Sequence, residues 1–333
     1  MKNQSARTEF LLRGLAHSPE LQILLFCLFT LIYVIALAGN ALLIFTICTC
    51  KKLHNPMYFL LINLSLVNVL SISVTTPKLI QTLLTHRKNI SFHGCITQVY
   101  LFIWLLVTEL LLLTCMAFDR YAAICQPLRY VFIMKKEFCV SIVMAAWVTG
   151  MINSAVHTGL ALQLSFCNSN IINHFFCDLP PLLKLSSSDT SLNETMAFMA
   201  DVIFGICSCG LTLTSYLFIL RAIFKIRSTE GKKKAFSTCS SHLIVVSFYF
   251  STVIYTYIRP TSVYSLDIDK FVSLIYSVVT PLLNPVVYSL RNKEVKEVVK
   301  MLLRRSKLLP QLQGDIQKHF KQNSVKTHIL PEN

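Results

Sequence analysis

The stretch GCITQVYLFIWLLVTELLLLTCMAF, residues 94–118, decides the fold of this chain. It holds a single charged residue, Glu109, and is longer than the roughly 20 residues that an apolar helix needs to cross a bilayer. Six further stretches have the same character: Leu21–Cys50, Met57–Pro77, Phe138–Leu164, Thr195–Leu220, Ala235–Ile258 and Phe271–Leu290. Only one of these contains an acid, Asp201. Backbone inside a bilayer must satisfy its own hydrogen bonds, and the strands of a membrane barrel would alternate in polarity over shorter segments, so helices are expected. The chain therefore reads as an all-α membrane protein, a seven-transmembrane helix bundle.

The composition agrees. Of 333 residues 54% are hydrophobic and 14% charged, with mean hydropathy +0.58. A soluble domain carries about 25% charged residues. Orientation follows from lysine and arginine, which gather on the cytoplasmic side of membrane proteins. With the N-terminus outside, the inner loops and tail hold 22 of the 31 basic residues. The formal charge of +15 raises nucleic acid as a partner, but the charges flank spans and suit an anionic inner leaflet instead. Residues 1–20, with Pro19 and no short apolar core, read as an extracellular N-terminus without a cleavable leader. The bundle fills 21–290. Residues 291–305 read as a short amphipathic helix at the inner membrane surface, with Val295, Val298, Val299, Leu302 and Leu303 on one face. Residues 306–333 are polar and aperiodic, a disordered cytoplasmic tail.

Glycosylation sequons stand at Asn3, Asn63, Asn89 and Asn193; Asn3, remote from the membrane, is the best acceptor, and Asn63 lies inside a span. Three of the twelve cysteines, Cys95, Cys167 and Cys177, fall outside, where disulfides persist. A Cys95–Cys177 bridge would tie the long outer loop, Ser165–Glu194, to the third span. No metal site is expected: His174-Phe175-Phe176-Cys177-Asp178 has ligand types, but a bridged Cys177 has no thiolate to offer. No cofactor motif and no nucleophile–base pair is visible, which argues against an enzyme. A transporter or channel would line its path with several charged or broken helices, and the only buried formal charge here is Glu109.

Five motifs, in order and covering nearly the whole bundle, resemble those of the odorant receptor family of rhodopsin-like receptors. They are Pro56-Met57-Tyr58-Phe59-Leu60, the segment Met116-Ala117-Phe118-Asp119-Arg120-Tyr121-Ala122-Ala123-Ile124-Cys125, and Ser215-Tyr216. The others are Lys234-Ala235-Phe236-Ser237-Thr238-Cys239-Ser240-Ser241-His242-Leu243, and the run from Pro281 through Asn284-Pro285 and Tyr288 to Asn292. The resemblance implies a plasma-membrane receptor that binds a small hydrophobic odorant in the outer half of the bundle. It also implies coupling to a stimulatory, olfactory-type G protein and a rise in cyclic AMP. A rhodopsin-like receptor for a non-odorant metabolite is the alternative within the class.

The residues make physical sense on their own. Asp119 and Arg120 end a span, where an unpaired charge is expensive. Either Arg120 snorkels to the interface, or Asp119 holds it until activation frees it toward the G protein. Tyr121, Tyr216, Asn284, Pro285 and Tyr288 complete that coupling set, with the two tyrosines Tyr216 and Tyr288 as hydrogen-bonding candidates. Glu109 lies three turns earlier, about 17 Å from Arg120 on the same face. With Asn40, Asn68 and Asn284 around it, it forms either an ion- or proton-linked switch centre or simple interhelical glue. Phe102, Ile103, Leu106 and Val107 are expected to face a cavity, opposite Phe204, Phe250, Val253, Ile254, Tyr257, Leu274 and Ser277. Asp201 either meets an amine or caps the membrane edge.

Three departures from the family pattern stand out. Asn68 replaces an acid, leaving one formal negative charge for a sodium site. Ser187 replaces a third outer-loop cysteine and leaves Cys167 without that partner. Tyr249-Phe250-Ser251 replaces Phe-Tyr-Gly, which removes a hydroxyl from the pocket floor.

Overall fold

The computed structural model describes residues 9–15, 18–85, 87–167, 169–257, 266–291 and 297. Asn3, the 291–305 helix beyond its first residue apart from Glu297, and the 306–333 tail lie outside the described residues, as do the side chains of Tyr257 and Tyr288. Four spans are α1 (Pro19–Thr49), α2 (Pro56–Thr85), α3 (Phe92–Cys125) and, after a short connecting helix α4 (Tyr130–Ile133), α5 (Lys136–Ala161). The next loop carries α6 (Leu179–Leu185). The fifth span is α7 (Ser191–Ala200), a π-helical segment Asp201–Cys207 and α8 (Ser208–Lys225). The sixth is α9 (Thr229–Tyr257). The seventh is α10 (Leu266–Leu274), a second π segment Ile275–Val279 and α11 (Thr280–Arg291). Among the described residues six helices are long and apolar enough to cross a membrane, and α9 contributes the shorter apolar stretch His242–Tyr255, completing a seven-helix bundle.

The spans overrun the apolar stretches that mark them. α2 continues through Pro77 to Thr85. A break there would expose several unpaired backbone groups to hydrocarbon, whereas the proline removes one donor. α3 runs beyond Phe118 to Cys125, so Asp119 and Arg120 lie in its last two turns. Ser191–Glu194, assigned to the outer loop from sequence, are the first turn of α7.

α3 is the most buried span and packs against α2, α5, α8 and α9, while α1 is the least buried. Large apolar side chains such as Ile23, Leu31, Phe45 and Leu211 point outward, which is the surface a lipid-facing bundle requires. At the α3–α5 crossing the Trp104 indole N–H donates to the Trp147 carbonyl at 2.9 Å, and the two rings meet edge-on at 5.7 Å. Gly150 permits that approach. A Cβ there would lie 2.6 Å from Thr108 Oγ1 and 2.7 Å from the Trp104 carbonyl oxygen.

The all-α bundle expected from sequence carries one small addition. At the end of the bundle that carries Cys177, three short strands form a sheet: β1 (Glu9–Leu12), β2 (Asn89–Ser91) and β3 (Ile171–Ile172), ordered β2-β1-β3. β1 is antiparallel to β2, with Phe10 opposite Ile90, and parallel to β3, with Leu11 opposite Ile171. Its alternation buries Phe10 and Leu12, and Phe10 meets Phe166 edge-on at 5.3 Å. The Cys95–Cys177 disulfide forms, with Cα atoms 5.4 Å apart, and pins the loop to the first turn of α3.

Gly150→Val should force α3 and α5 apart and lower the thermal stability of the purified receptor by about 1–3 kcal/mol, the usual cost of overpacking. Gly159, whose added Cβ would meet nothing within 4 Å, supplies the control, and Gly159→Ala should leave the melting temperature unchanged.

Candidate functional site

At the disulfide end the bundle encloses a cavity of about 320 Å³. Its apolar wall is Ile103, Leu106 and Val107 of α3, Phe204 of the fifth span and Val253 of α9. α6 closes one side with Leu179, Pro180 and Leu183. Asp201, Phe204 and Gly205, spaced i, i+3 and i+4 along the fifth span, reach the cavity together, within a stretch that is π-helical over Asp201–Cys207. Polar groups enter from Asn153 and His157 of α5, Asp178 before α6, and Asp201.

α6 is held over the cavity by Asp178. One carboxylate oxygen accepts from the Leu179 N–H at 2.8 Å, capping α6, and the other accepts from the Tyr276 hydroxyl at 3.2 Å on the seventh span. Gln98 clamps the same loop, donating to the Val74 carbonyl at 2.8 Å and accepting from the Cys177 N–H at 2.8 Å. His174 stacks on Phe175 at 4.7 Å; burial first, and the nearby Lys270 second, push its pKa down to about 3, so it is a neutral ring.

Of the other residues placed in the pocket from sequence, those with described side chains lie elsewhere. Phe102 packs on Phe176 at 4.9 Å and on Tyr276 at 5.8 Å, because the disulfide draws the loop aromatics down onto α3. Phe250 and Ile254 join the main core, and Leu274 packs with the Phe102–Phe176 cluster. Ser277 is buried and donates to the Ser273 carbonyl at 2.6 Å. Cys167 forms no disulfide; Ser187 Oγ accepts from its N–H at 3.2 Å and donates to the Ser165 carbonyl at 2.9 Å. Asn193 is buried, which removes its sequon from solvent.

Midway along α3, Glu109 is buried, but its surroundings differ from the expected ring of asparagines. It faces the Tyr249 hydroxyl and Asn284. Tyr249 also donates to the Leu106 carbonyl at 3.2 Å, so the tyrosine displaced by one residue in the sixth span puts its hydroxyl against α3. Asn40 instead donates to the Pro281 carbonyl at 2.9 Å and the Ala36 carbonyl at 2.8 Å, and Asn68 donates to Asn40 Oδ1 at 3.5 Å. Backbone chemistry explains the preference. Pro285 has no N–H, so the carbonyl four residues earlier, that of Pro281, loses its helical donor, and Asn40 supplies one. Gly39 lets α1 come that close: a Cβ there would lie 3.1 Å from the Pro285 ring.

At the far end of α3, Asp119 and Arg120 are both buried. Asp119 accepts a hydrogen bond from the Tyr130 hydroxyl of α4 at 2.8 Å. Burial, then the Asp119 carboxylate, raise the pKa of Tyr130 and keep it a donor. No ion pair within 4.0 Å joins Asp119 to Arg120 among the described residues, and Arg120 Nη2 has no hydrogen-bond partner. Adjacent residues diverge by about 100° around a helix, which keeps the two heads apart. Tyr216 shares a 2.6 Å hydrogen bond with His242 Nδ1. Sequence alone assigns no contact to Tyr130, Tyr249 or His242, although His242 stands in the Lys234–Leu243 motif and Tyr249 in a departure from the family pattern.

Asn40→Leu should leave the Pro281 carbonyl without its donor and cost about 1–3 kcal/mol of stability. Adding Pro285→Ala restores a backbone N–H at that position and should recover part of the loss, read as melting temperatures of the single and double variants.

A family model described as olfactory receptor matches residues 29–306. Olfactory receptor 5AP2 of Mus musculus is 50% identical over 303 residues, covering 91% of this chain and 95% of that protein. Human olfactory receptor 13A1 is 46% identical over 302 residues, covering 91% and 92%. The olfactory receptor-like protein COR4 of Gallus gallus is 48% identical over 301 residues, covering 90% and 96%. With its bundle, its cavity and the Asp119–Arg120 end of α3, the chain belongs to the olfactory receptor family, multi-pass plasma-membrane G-protein-coupled receptors for odorants and not enzymes.

Proposed function

We propose that this receptor stands with its N-terminus outside the cell, binds a small, predominantly apolar molecule in the Ile103–Phe204–Val253 cavity, and activates a stimulatory G protein that raises cyclic AMP. The observation that carries the reading is α3 itself. One continuous helix lines the cavity at Ile103 and, about 26 Å further on, presents Arg120 beside Tyr130, Tyr216 and His242. The bias of basic residues supports the orientation, and so does the disulfide, which belongs on an oxidising face.

In this reading the described arrangement is the resting one. Tyr130 occupies Asp119, Tyr216 is held by His242, and Arg120 is closed in between. Ligand bound against α3 and the π segment of the fifth span shifts α8 relative to α9, parts Tyr216 from His242, and lets Arg120 and Tyr121 meet the G protein. Glu109, Tyr249 and Asn284 sit on that path as its polar midpoint, with Pro285 and Tyr288 on the seventh span. Asn68, bound toward Asn40 rather than Glu109, leaves a sodium ion one fixed negative charge, so sodium contributes little to the resting state. The 291–305 helix lies on the inner leaflet, and the tail follows it into the cytoplasm. Asn3 carries the glycan.

Arg120→Ala should abolish odorant-evoked cyclic AMP while surface expression and direct ligand binding persist. Equal loss of binding and signalling at normal surface levels would contradict the separation of the two ends.

A further inference from the structure

The cavity is less neutral than a site for a purely apolar molecule needs to be. Asp201 lines it, and among the described residues its side chain has no hydrogen-bond or ion-pair partner. Asp178, a second acidic side chain, lines the same cavity. Lys184 and Glu194 stand at the exposed rim, one of each sign. From α5, His157 also lines the cavity. It is 4% exposed, and its Nδ1 has no hydrogen-bond partner. Leaving such groups without partners in an apolar enclosure costs free energy that a ligand of matching chemistry recovers.

A cation answers the carboxylates, and an apolar body answers the Ile103, Leu106, Val107 and Val253 wall. A cavity of about 320 Å³ admits only a compact molecule. We infer that the receptor's ligand class is small, compact amines, whose ammonium meets Asp201 with Asp178 behind it and whose carbon skeleton fills the α3–α9 wall. His157 offers its free ring nitrogen to a second polar group where the ligand has one. Asp201 is thus a specificity residue and not a cap at the membrane edge. The inference rests on the reading of this cavity as the ligand site.

The test uses purified full-length receptor in lipid nanodiscs and reads the rise in melting temperature with cyclohexylamine, benzylamine, cyclohexanol and cyclohexanecarboxylate. The amines should stabilise at concentrations about ten- to a hundredfold below cyclohexanol, the range of one charge-assisted hydrogen bond, and the carboxylate should be the weakest. Asp201→Asn should erase the amine preference and leave the cyclohexanol response in place. Asp201→Ser does the same if the asparagine variant fails to fold. Equal potency of amines and alcohol, an amine preference that survives both substitutions, or no stabilisation by either amine would overturn the assignment. Val107→Trp, which fills the cavity, keeps the two readings apart. If it abolishes the cyclohexanol response while no amine preference exists, the cavity stands and the amine assignment falls. If cyclohexanol still stabilises this variant, the cavity itself is not the site.

Discussion

A carbonyl oxygen without a donor has nowhere to turn inside a bilayer, and much of this structure follows from that constraint. Pro285 creates one such oxygen at Pro281, and the answer comes from another helix, through Asn40. The contact requires α1 to lie against α11, which requires Gly39, and it commits Asn40 so fully that Glu109 must look to the sixth span for company. The same logic joins α3 to α5 through Trp104 and Trp147, and α3 to α9 through Tyr249 and the Leu106 carbonyl. Each bond replaces what water would supply in a soluble protein. Together they make α3 the common partner, which is why one helix can carry a cavity at one end and Arg120 at the other.

The disulfide end solves a different problem. Loops there must build a roofed chamber from chain that carries only α6 and three short strands. Cys95–Cys177 sets one fixed point, Gln98 grips the neighbouring backbone, and Asp178 couples α6 to the seventh span. The chamber's roof is therefore fixed to α3 and the seventh span by a disulfide and hydrogen bonds rather than by apolar packing alone. Its polar lining comes both from this scaffold, at Asp178, and from the spans, at Asn153, His157 and Asp201.

The seven spans are legible in the sequence because a bilayer imposes a length on apolar stretches, and the Cys95–Cys177 pair is legible because topology leaves few cysteines on one side. Ile103, Leu106, Val107, Phe204 and Val253 reach the cavity because helical periodicity sets which face of a buried span is shared. Periodicity fails for Phe102, whose direction is right but whose neighbour, Phe176, arrives from a loop that no pattern describes. It fails again at Asn40, since the demand for its amide arises from a proline far along the chain. Tyr130, Tyr249 and His242 share that difficulty: each has a partner set by tertiary packing, and a hydroxyl or imidazole alone does not announce whom it meets. The π turn at Asp201–Cys207 leaves no mark in the composition at all.

The sheet ordered β2-β1-β3 has a consequence for how the molecule comes into being. β1 is synthesised first and belongs at the centre. It can take β2 once the α1–α2 hairpin is inserted, but its other edge stays open until α5 has crossed the membrane and β3 follows. Throughout that interval a strand with two buried apolar side chains, Phe10 and Leu12, presents unpaired backbone to its surroundings. Nascent receptor is thus sticky at its N-terminus until more than half of the chain has been threaded.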